Sequence, residues 1–220
     1  MQADFWLERW EQNQIGFHQN EFNNHLQAFW NSLAVPAGGQ IFVPLCGKSR
    51  DMLWLRAQGF TVMGVELSPI AVRDFFSENR LQAQVTQQGK LERWEADGLV
   101  ILLGDFFDLT AADVANCAGV FDRASLIALP PEMRARYAQH FSAILPPQVQ
   151  TLLVTLEYAQ AEMQGPPFAV HEAEVRSAYE AAFHVAKLFE TSVLDESPGF
   201  RQRGLSRLDE KVYLLTPTVK

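Results

Sequence analysis

Apolar residues recur along the chain in two rhythms, one helical and one extended. Phe5, Trp6 and Trp10 mark an amphipathic helix over residues 4–12. Phe22, Leu26, Phe29, Trp30 and Leu33 fall at i, i+4, i+7, i+8 and i+11, which predicts a second helix over 21–33. The polar link between them, "QIGFHQN", holds Gly16, Phe17 and His18 and reads as a hinge or lid. After "VPAGG" the rhythm changes. "QIFVPL" is a short apolar run that predicts a buried strand, followed by a turn at Cys46-Gly47 and a helix over 49–58. "FTVMGVE" predicts the next strand. Ser68 then serves as N-cap and Pro69 as the first helical residue of a helix running to about Asn79.

Beyond a polar stretch, "LERWEADGLVILLGD" gives two extended runs around the two-residue hairpin signal Asp97-Gly98. "GVFDRASLI" predicts a further strand, and Pro130-Pro131 opens a helix with Met133, Tyr137, Phe141 and Ile144 on one face. "TLLVTLEY" is another strand. After "GPPF", residues 171–183 read as a helix carrying Val175, Ala178, Tyr179, Ala182 and Phe183, and "HVAKLFETSV" and "KVYLLTP" are the last extended runs. Strands alternating with helices predict a doubly wound α/β fold, a mostly parallel sheet covered on both faces, with a terminal hairpin adding one antiparallel strand. At 220 residues one domain is expected, with a helical cover over 1–35 and a Rossmann-like core over 40–220.

Composition narrows the function. A net charge of −8 disfavours nucleic acid as a partner and suits a cationic ligand. Two cysteines, Cys46 and Cys117, cannot build a disulfide framework or a cysteine-based metal cluster, so no metal site is expected and a reducing cytoplasm fits. The N-terminus lacks a basic start followed by an apolar run. No stretch reaches the roughly 18 apolar residues of a membrane span, so a soluble protein without a membrane partner is expected.

Candidate chemistry lies where strands end, because ligands of open doubly wound sheets bind at the carboxyl ends of the strands. Gly47-Lys48-Ser49 ends like a phosphate-binding loop, but Phe42 stands where that motif needs glycine and Pro44 interrupts the loop. Lys48 and Ser49 therefore read as first-turn helix residues, with a P-loop-like nucleotide enzyme as the alternative. Gly47 allows close backbone approach to a ligand. Glu66, about twenty residues beyond the turn, either accepts both hydroxyls of a ribose or serves as a helix N-terminal carboxylate. A nucleoside without phosphates follows, and S-adenosylmethionine, a cation, matches the acidic chain. In "GDFFD", Asp105 either accepts from an adenine amino group, with Phe106 on the ring, or caps the next turn.

With these residues placed, the chain resembles the thiopurine S-methyltransferase family, in its bacterial branch. The resemblance rests on "FWLERW…GFHQ", the "FVPLCGKSRDM.WL" turn, "GVELS", "FFDL", "FDRASL", "GPPF" and "EKVYLLT", and spans nearly the whole chain. It implies a class I S-adenosylmethionine-dependent methyltransferase fold with seven strands, the last antiparallel, and an N-terminal segment over the cofactor. It implies a monomer acting on small aromatic or heterocyclic thiols such as thiopurines, or on selenium or tellurium compounds. Trp10, Leu45, Glu66, Asp105, Phe106 and Arg123 become cofactor residues and Phe17 a substrate residue. Arg123 also becomes the first choice for holding an anionic substrate, with Arg201 or Arg203 of "GFRQRG" second. His18 is a loop histidine that is either a base or simply solvated. A non-catalytic cofactor-binding or interaction module is the remaining alternative.

Overall fold

The computed structural model describes residues 3–218. Its elements in chain order are α1 (Ala3–Glu11), α2 (Asn24–Phe29), β1 (Gln40–Val43), α3 (Asp51–Ala57), β2 (Thr61–Glu66), α4 (Pro69–Glu78), β3 (Gln84–Gln88), β4 (Leu91–Ala96) and β5 (Leu99–Leu103). There follow β6 (Cys117–Asp122), α5 (Ser125–Ala128), α6 (Pro131–Ile144), β7 (Gln150–Glu157), α7 (Glu172–Tyr179), β8 (Phe183–Ser192), α8 (Pro198–Gln202) and β9 (Asp209–Pro217).

The strands form one sheet in the order β3-β4-β5-β2-β1-β6-β7-β9-β8. The pairs β1/β2, β1/β6, β2/β5 and β6/β7 are parallel, while β9 runs antiparallel to both β7 and β8. The stretch from β5 to β8 is the expected seven-stranded arrangement with its last strand reversed. Seven is not the full count, since the antiparallel pair β3/β4 extends the sheet beyond β5. The β4–β5 hairpin turns on Asp97 and Gly98 at φ of 48° and 75°, the left-handed conformation that a two-residue turn of this kind demands.

Alternation along β1 splits the core. Phe42 points into an apolar layer with Tyr137, Phe141, Tyr179 and Tyr213, under α6 and α7. Ile41 and Val43 point the other way, to Leu26, Trp30, Met52, Leu55 and Phe75 of α2, α3 and α4 and the turn after α2. Burying both faces requires the near-continuous apolar runs of the central strands.

Several boundaries differ from expectation, each for a local reason. Asn23 accepts the Leu26 N–H at 3.0 Å as an N-cap, so α2 starts after Phe22. The helix expected from residue 49 begins at Asp51, with Ser49 left in the turn. Strand β6 stops at Asp122, whose Oδ1 takes the Ser125 N–H at 3.2 Å and turns the chain into α5; "ASLI" is helix, not strand. Helix α7 ends at Tyr179, and Phe183 opens β8. Ser68 caps α4 as its sequence announced, accepting from Ala71 N–H at 3.3 Å. No helix among the described residues is long and apolar enough to cross a membrane.

Candidate active site

The sheet order reverses around β1, where the chain runs outward to β2 and β5 and returns to β6. Parallel strands present their carboxyl ends on one edge there. The residues following β1, β2, β5, β6 and β7 line one cavity of about 990 Å³, roofed by α1 and the link after it.

At the end of β1, Leu45 has φ of 47° and Gly47 φ of 53°. A leucine held in the left-handed region costs on the order of 1–3 kcal/mol and persists only where its surroundings impose it. Gly47 lies under Trp10, whose ring would stand 3.5 Å from a Cβ at that position. The turn thus brings bare backbone to the cavity floor beneath an aromatic ring.

Glu66 ends β2 and is 8% exposed. Its Oε2 accepts from Gly47 N–H and its Oε1 from Ser68 N–H, both at 2.8 Å. Each oxygen keeps a second lone pair for another donor. Burial pushes this carboxyl above its ordinary value, and the backbone donors oppose that rise. Burial and the Glu66 carboxylate also drive the neighbouring Cys46 thiol well upward, so the buried sulfur is no thiolate.

Asp105 caps the turn of 106–108, accepting from Phe107 N–H through Oδ1 at 2.9 Å, and it also lines the cavity. The capping reading is therefore realised, with Oδ2 not used in the cap. Phe106 is buried against Tyr137 at a centroid distance of 4.6 Å, and Phe107 carries the Arg136 guanidinium 3.8 Å over its ring.

Arg123 leaves the end of β6 and reaches the cavity 20% exposed. Its one hydrogen bond among the described residues is a long one, Nη1 to Asp51 Oδ2 at 3.4 Å. Asp51 is the anion such an arginine needs. It also accepts from the Asn23 N–H at 2.7 Å and the Ser49 hydroxyl at 3.1 Å. Lys48 turns away from any phosphate role, its Nζ 2.6 Å from Glu78 on α4.

The roof carries Phe17, 42% exposed and edge-on to Trp6 and Trp10, and His18, whose pKa is lowered by burial and then by the Lys48 charge. Arg203 lines the cavity. Arg201 does not and pairs instead with Asp195 on the surface, so the two arginines of "GFRQRG" separate. Trp10, Phe17, His18, Leu45, Gly47, Glu66, Asp105, Phe106, Arg123 and Arg203 are thus brought together from nine tenths of the chain.

Sequence reasoning missed Asp51, Phe107, Arg136 and Glu210 as parts of this wall. Phe107 lay inside the quoted "FFDL". Arg136 sits three residues beyond Met133 on α6, a helical spacing that signals adjacency and nothing of a ligand.

Strand order and a site at this edge define the class I S-adenosylmethionine-dependent methyltransferase fold. A methyltransferase from Anabaena variabilis superposes with a TM-score of 0.67 at 12% identity, covering 98% of this chain and 95% of that one. One from Methanosarcina mazei gives 0.63 at 11% identity, over 91% and 100%. The family model described as thiopurine S-methyltransferase matches residues 1–218. Thiopurine S-methyltransferases of Nitrosospira multiformis and Azotobacter vinelandii are 52% and 53% identical over 215 residues, 98% of this chain and 98% and 99% of theirs. The chain belongs to the thiopurine S-methyltransferase family.

Proposed function

We propose that this chain transfers a methyl group from S-adenosylmethionine to the sulfur of small aromatic or heterocyclic thiols, thiopurines among them, with selenium and tellurium compounds as further acceptors. The family match over residues 1–218 carries the activity.

The residues present fit the cofactor. The two oxygens of Glu66, each half-used by backbone N–H groups, suit a vicinal diol. The neutral turn at 45–47 approaches a ligand through backbone, and the aromatic floor at Phe106 suits a flat base. A phosphate reading is not supported, since Lys48 is engaged by Glu78. When bound, S-adenosylmethionine supplies an electrophilic methyl on a sulfonium. Glu66 would hold its ribose, Trp10, Leu45 and Gly47 would border it, and Asp105 Oδ2 with Phe106 would meet its adenine.

The protein's remaining task is to hold a sulfur nucleophile and exclude water. Arg123 places positive charge beside the cavity with most of its fork unused by Asp51, so it stabilises a thiolate. Phe17 and its aromatic neighbours supply an apolar lid that strengthens that interaction by removing solvent. Arg203 is the second cation of the substrate side, and His18 lines the roof as a contact, its lowered pKa keeping it neutral. Arg201 is left out of this assignment. The chain acts as one domain and as a cytoplasmic monomer, without nucleic-acid or membrane partners; the acidic charge and the two buried free cysteines favour this.

A screen of small thiols and chalcogen anions with methyl-labelled S-adenosylmethionine tests the reading. Label should appear in aromatic thiols. Binding of the cofactor with no transfer to any of them would leave only a binding module.

A further inference from the structure

Methylating a neutral thiol releases a proton: R–SH and a methylsulfonium give a methyl sulfide, a neutral thioether and one proton. Arginine cannot take it, because the guanidinium stays protonated. His18 has its pKa lowered by its surroundings. Glu210 is an acceptor on the wall of the same cavity.

Glu210 stands on β9 opposite Leu156 of β7 and Thr191 of β8. Alternation turns its side chain to the face shared by Val212, Val154 and α2, away from Asp209 and Lys211. Its Oε2 lies 2.6 Å from Nε2 of His25 on α2, with side-chain exposures of 25% and 11%. The His25 ring packs against Phe29 and Phe189, at 6.4 and 5.7 Å, and those two rings touch each other at 5.4 Å. Both residues also line a second cavity of about 610 Å³ between the start of α2 and the end of β8. A simple helix-to-sheet staple has no need to face two cavities. We infer that Glu210, held in place by the His25 Nε2–H, accepts the proton of a neutral thiol substrate and releases it to the second cavity. This deepens the S-methyl-transfer reading and rests on it.

The steps balance. The S–H bond breaks with its electron pair kept on sulfur, beside Arg123, and the proton goes to a Glu210 oxygen. The 2.6 Å contact requires the His25 Nε2–H to donate to Oε2, so the arriving proton rides on Oε1, and the carboxyl then releases it to the second cavity, which Glu210 itself lines. Arg123 and Arg203 are among the charged residues that line the first cavity with Glu210, and Glu21 and Glu196 line the second with the pair. Asp51 is engaged by Arg123, while Lys211, Glu157 and Glu190 form a network on the opposite face.

The test compares benzyl mercaptan, a thiol mostly un-ionised at neutral pH, with 4-nitrothiophenol, which is ionised there. Glu210→Gln keeps the shape and loses the base. It should lower kcat/KM for benzyl mercaptan about 10²-fold at pH 7, with the deficit closing as pH rises toward the thiol's own ionisation. It should change 4-nitrothiophenol by less than about threefold, since that substrate brings no proton. His25→Leu loses the donor that holds the Glu210 carboxylate and should show the same substrate dependence, while His25→Gln keeps a donor and should not; the pair carries the test should Glu210→Gln not fold. A readout independent of turnover is the thiolate absorbance of benzyl mercaptan bound beside S-adenosylhomocysteine. The signal should be present in the unsubstituted protein and absent in Glu210→Gln. Equal losses on both thiols, no loss on either, or a persisting thiolate signal in Glu210→Gln would each overturn the inference. Failure of the unsubstituted protein to methylate either thiol would overturn the S-methyl-transfer reading itself.

Discussion

Glu66 shows how a single side chain can be tied to its position by the backbone it serves. Replacing it with Gln sets an amide NH₂ against either Gly47 N–H or Ser68 N–H, so a donor faces a donor. We expect Glu66→Gln to weaken S-adenosylhomocysteine binding by about 1–3 kcal/mol by calorimetry, typical for a lost charged acceptor. A contact made alike in ground and transition states raises KM for the cofactor more than it lowers kcat. Arg123→Lys keeps a charge but loses the planar fork that Asp51 engages from one side. Methylation efficiency should fall clearly, and Arg123→Ala should fall further; wild-type rates from both over pH 6–9 would make Arg123 purely structural. Asp122, beside it, is fully buried with Tyr137 hydroxyl donating at 2.8 Å, and burial lifts its pKa to about 6. The folded state therefore holds this proton more tightly than the unfolded chain, whose Asp titrates near 3.9. The resulting stability is complete below about pH 4 and is lost as pH rises through about 6, a change of roughly 3 kcal/mol. In denaturant titrations across this window, Asp122→Asn should flatten the dependence. Glu66, Gly47 and Asp105 were legible in sequence because a strand-ending carboxylate or glycine has a positional meaning. Asp51 and Glu210 were not, because each acquires its role from residues 72 and 185 positions away.

Among the elements, those with a strong period or cap were readable and those held by neighbours were not. Ser68-Pro69 and Asp97-Gly98 announce their structures locally, through a cap and a left-handed turn. Strand β3, "QVTQQ", is exposed along most of its length and has no apolar alternation; it exists because β4 offers it a register. Phe183 continued the helical period of α7 on paper, yet it pairs with Pro217 in β9, where tertiary pairing outweighs the period. The roof is the element with the clearest dynamic consequence. Its far end is tied down where Arg50 donates to the Asn20 carbonyl at 2.7 Å and Asp51 holds Asn23. The stretch before that anchor meets the core through Trp10 and aromatic edges around an exposed Phe17. Hydrogen exchange over residues 5–20 should slow when S-adenosylhomocysteine fills the space below, while residues 23–30 should change little. Equal protection with and without the ligand would make the roof a fixed wall.

Across the molecule, a ligand that binds only the folded chain stabilises it by mass action, about 2.7 kcal/mol at a hundredfold excess over Kd. For a domain of this size that corresponds to a rise in Tm of roughly 5–10 °C with S-adenosylhomocysteine. Magnesium and ATP should produce no such rise, and a larger shift from them than from the adenosyl ligand would reverse the assignment of the β1 turn. The sheet's strand order has a further consequence, for the birth of the protein on the ribosome. β9 is inserted between β7 and β8, so the last of the described strands in chain order fills an interior position. Once residues 183–192 have been made they have no native partner strand to join, because that partner, residues 209–217, follows them in the chain. The emerging chain must hold β7 with an open flank until β9 arrives and recruits β8 on its other side. A stop codon that removes only this last strand would therefore sever two ladders at once and leave the nascent protein to chaperones and proteases.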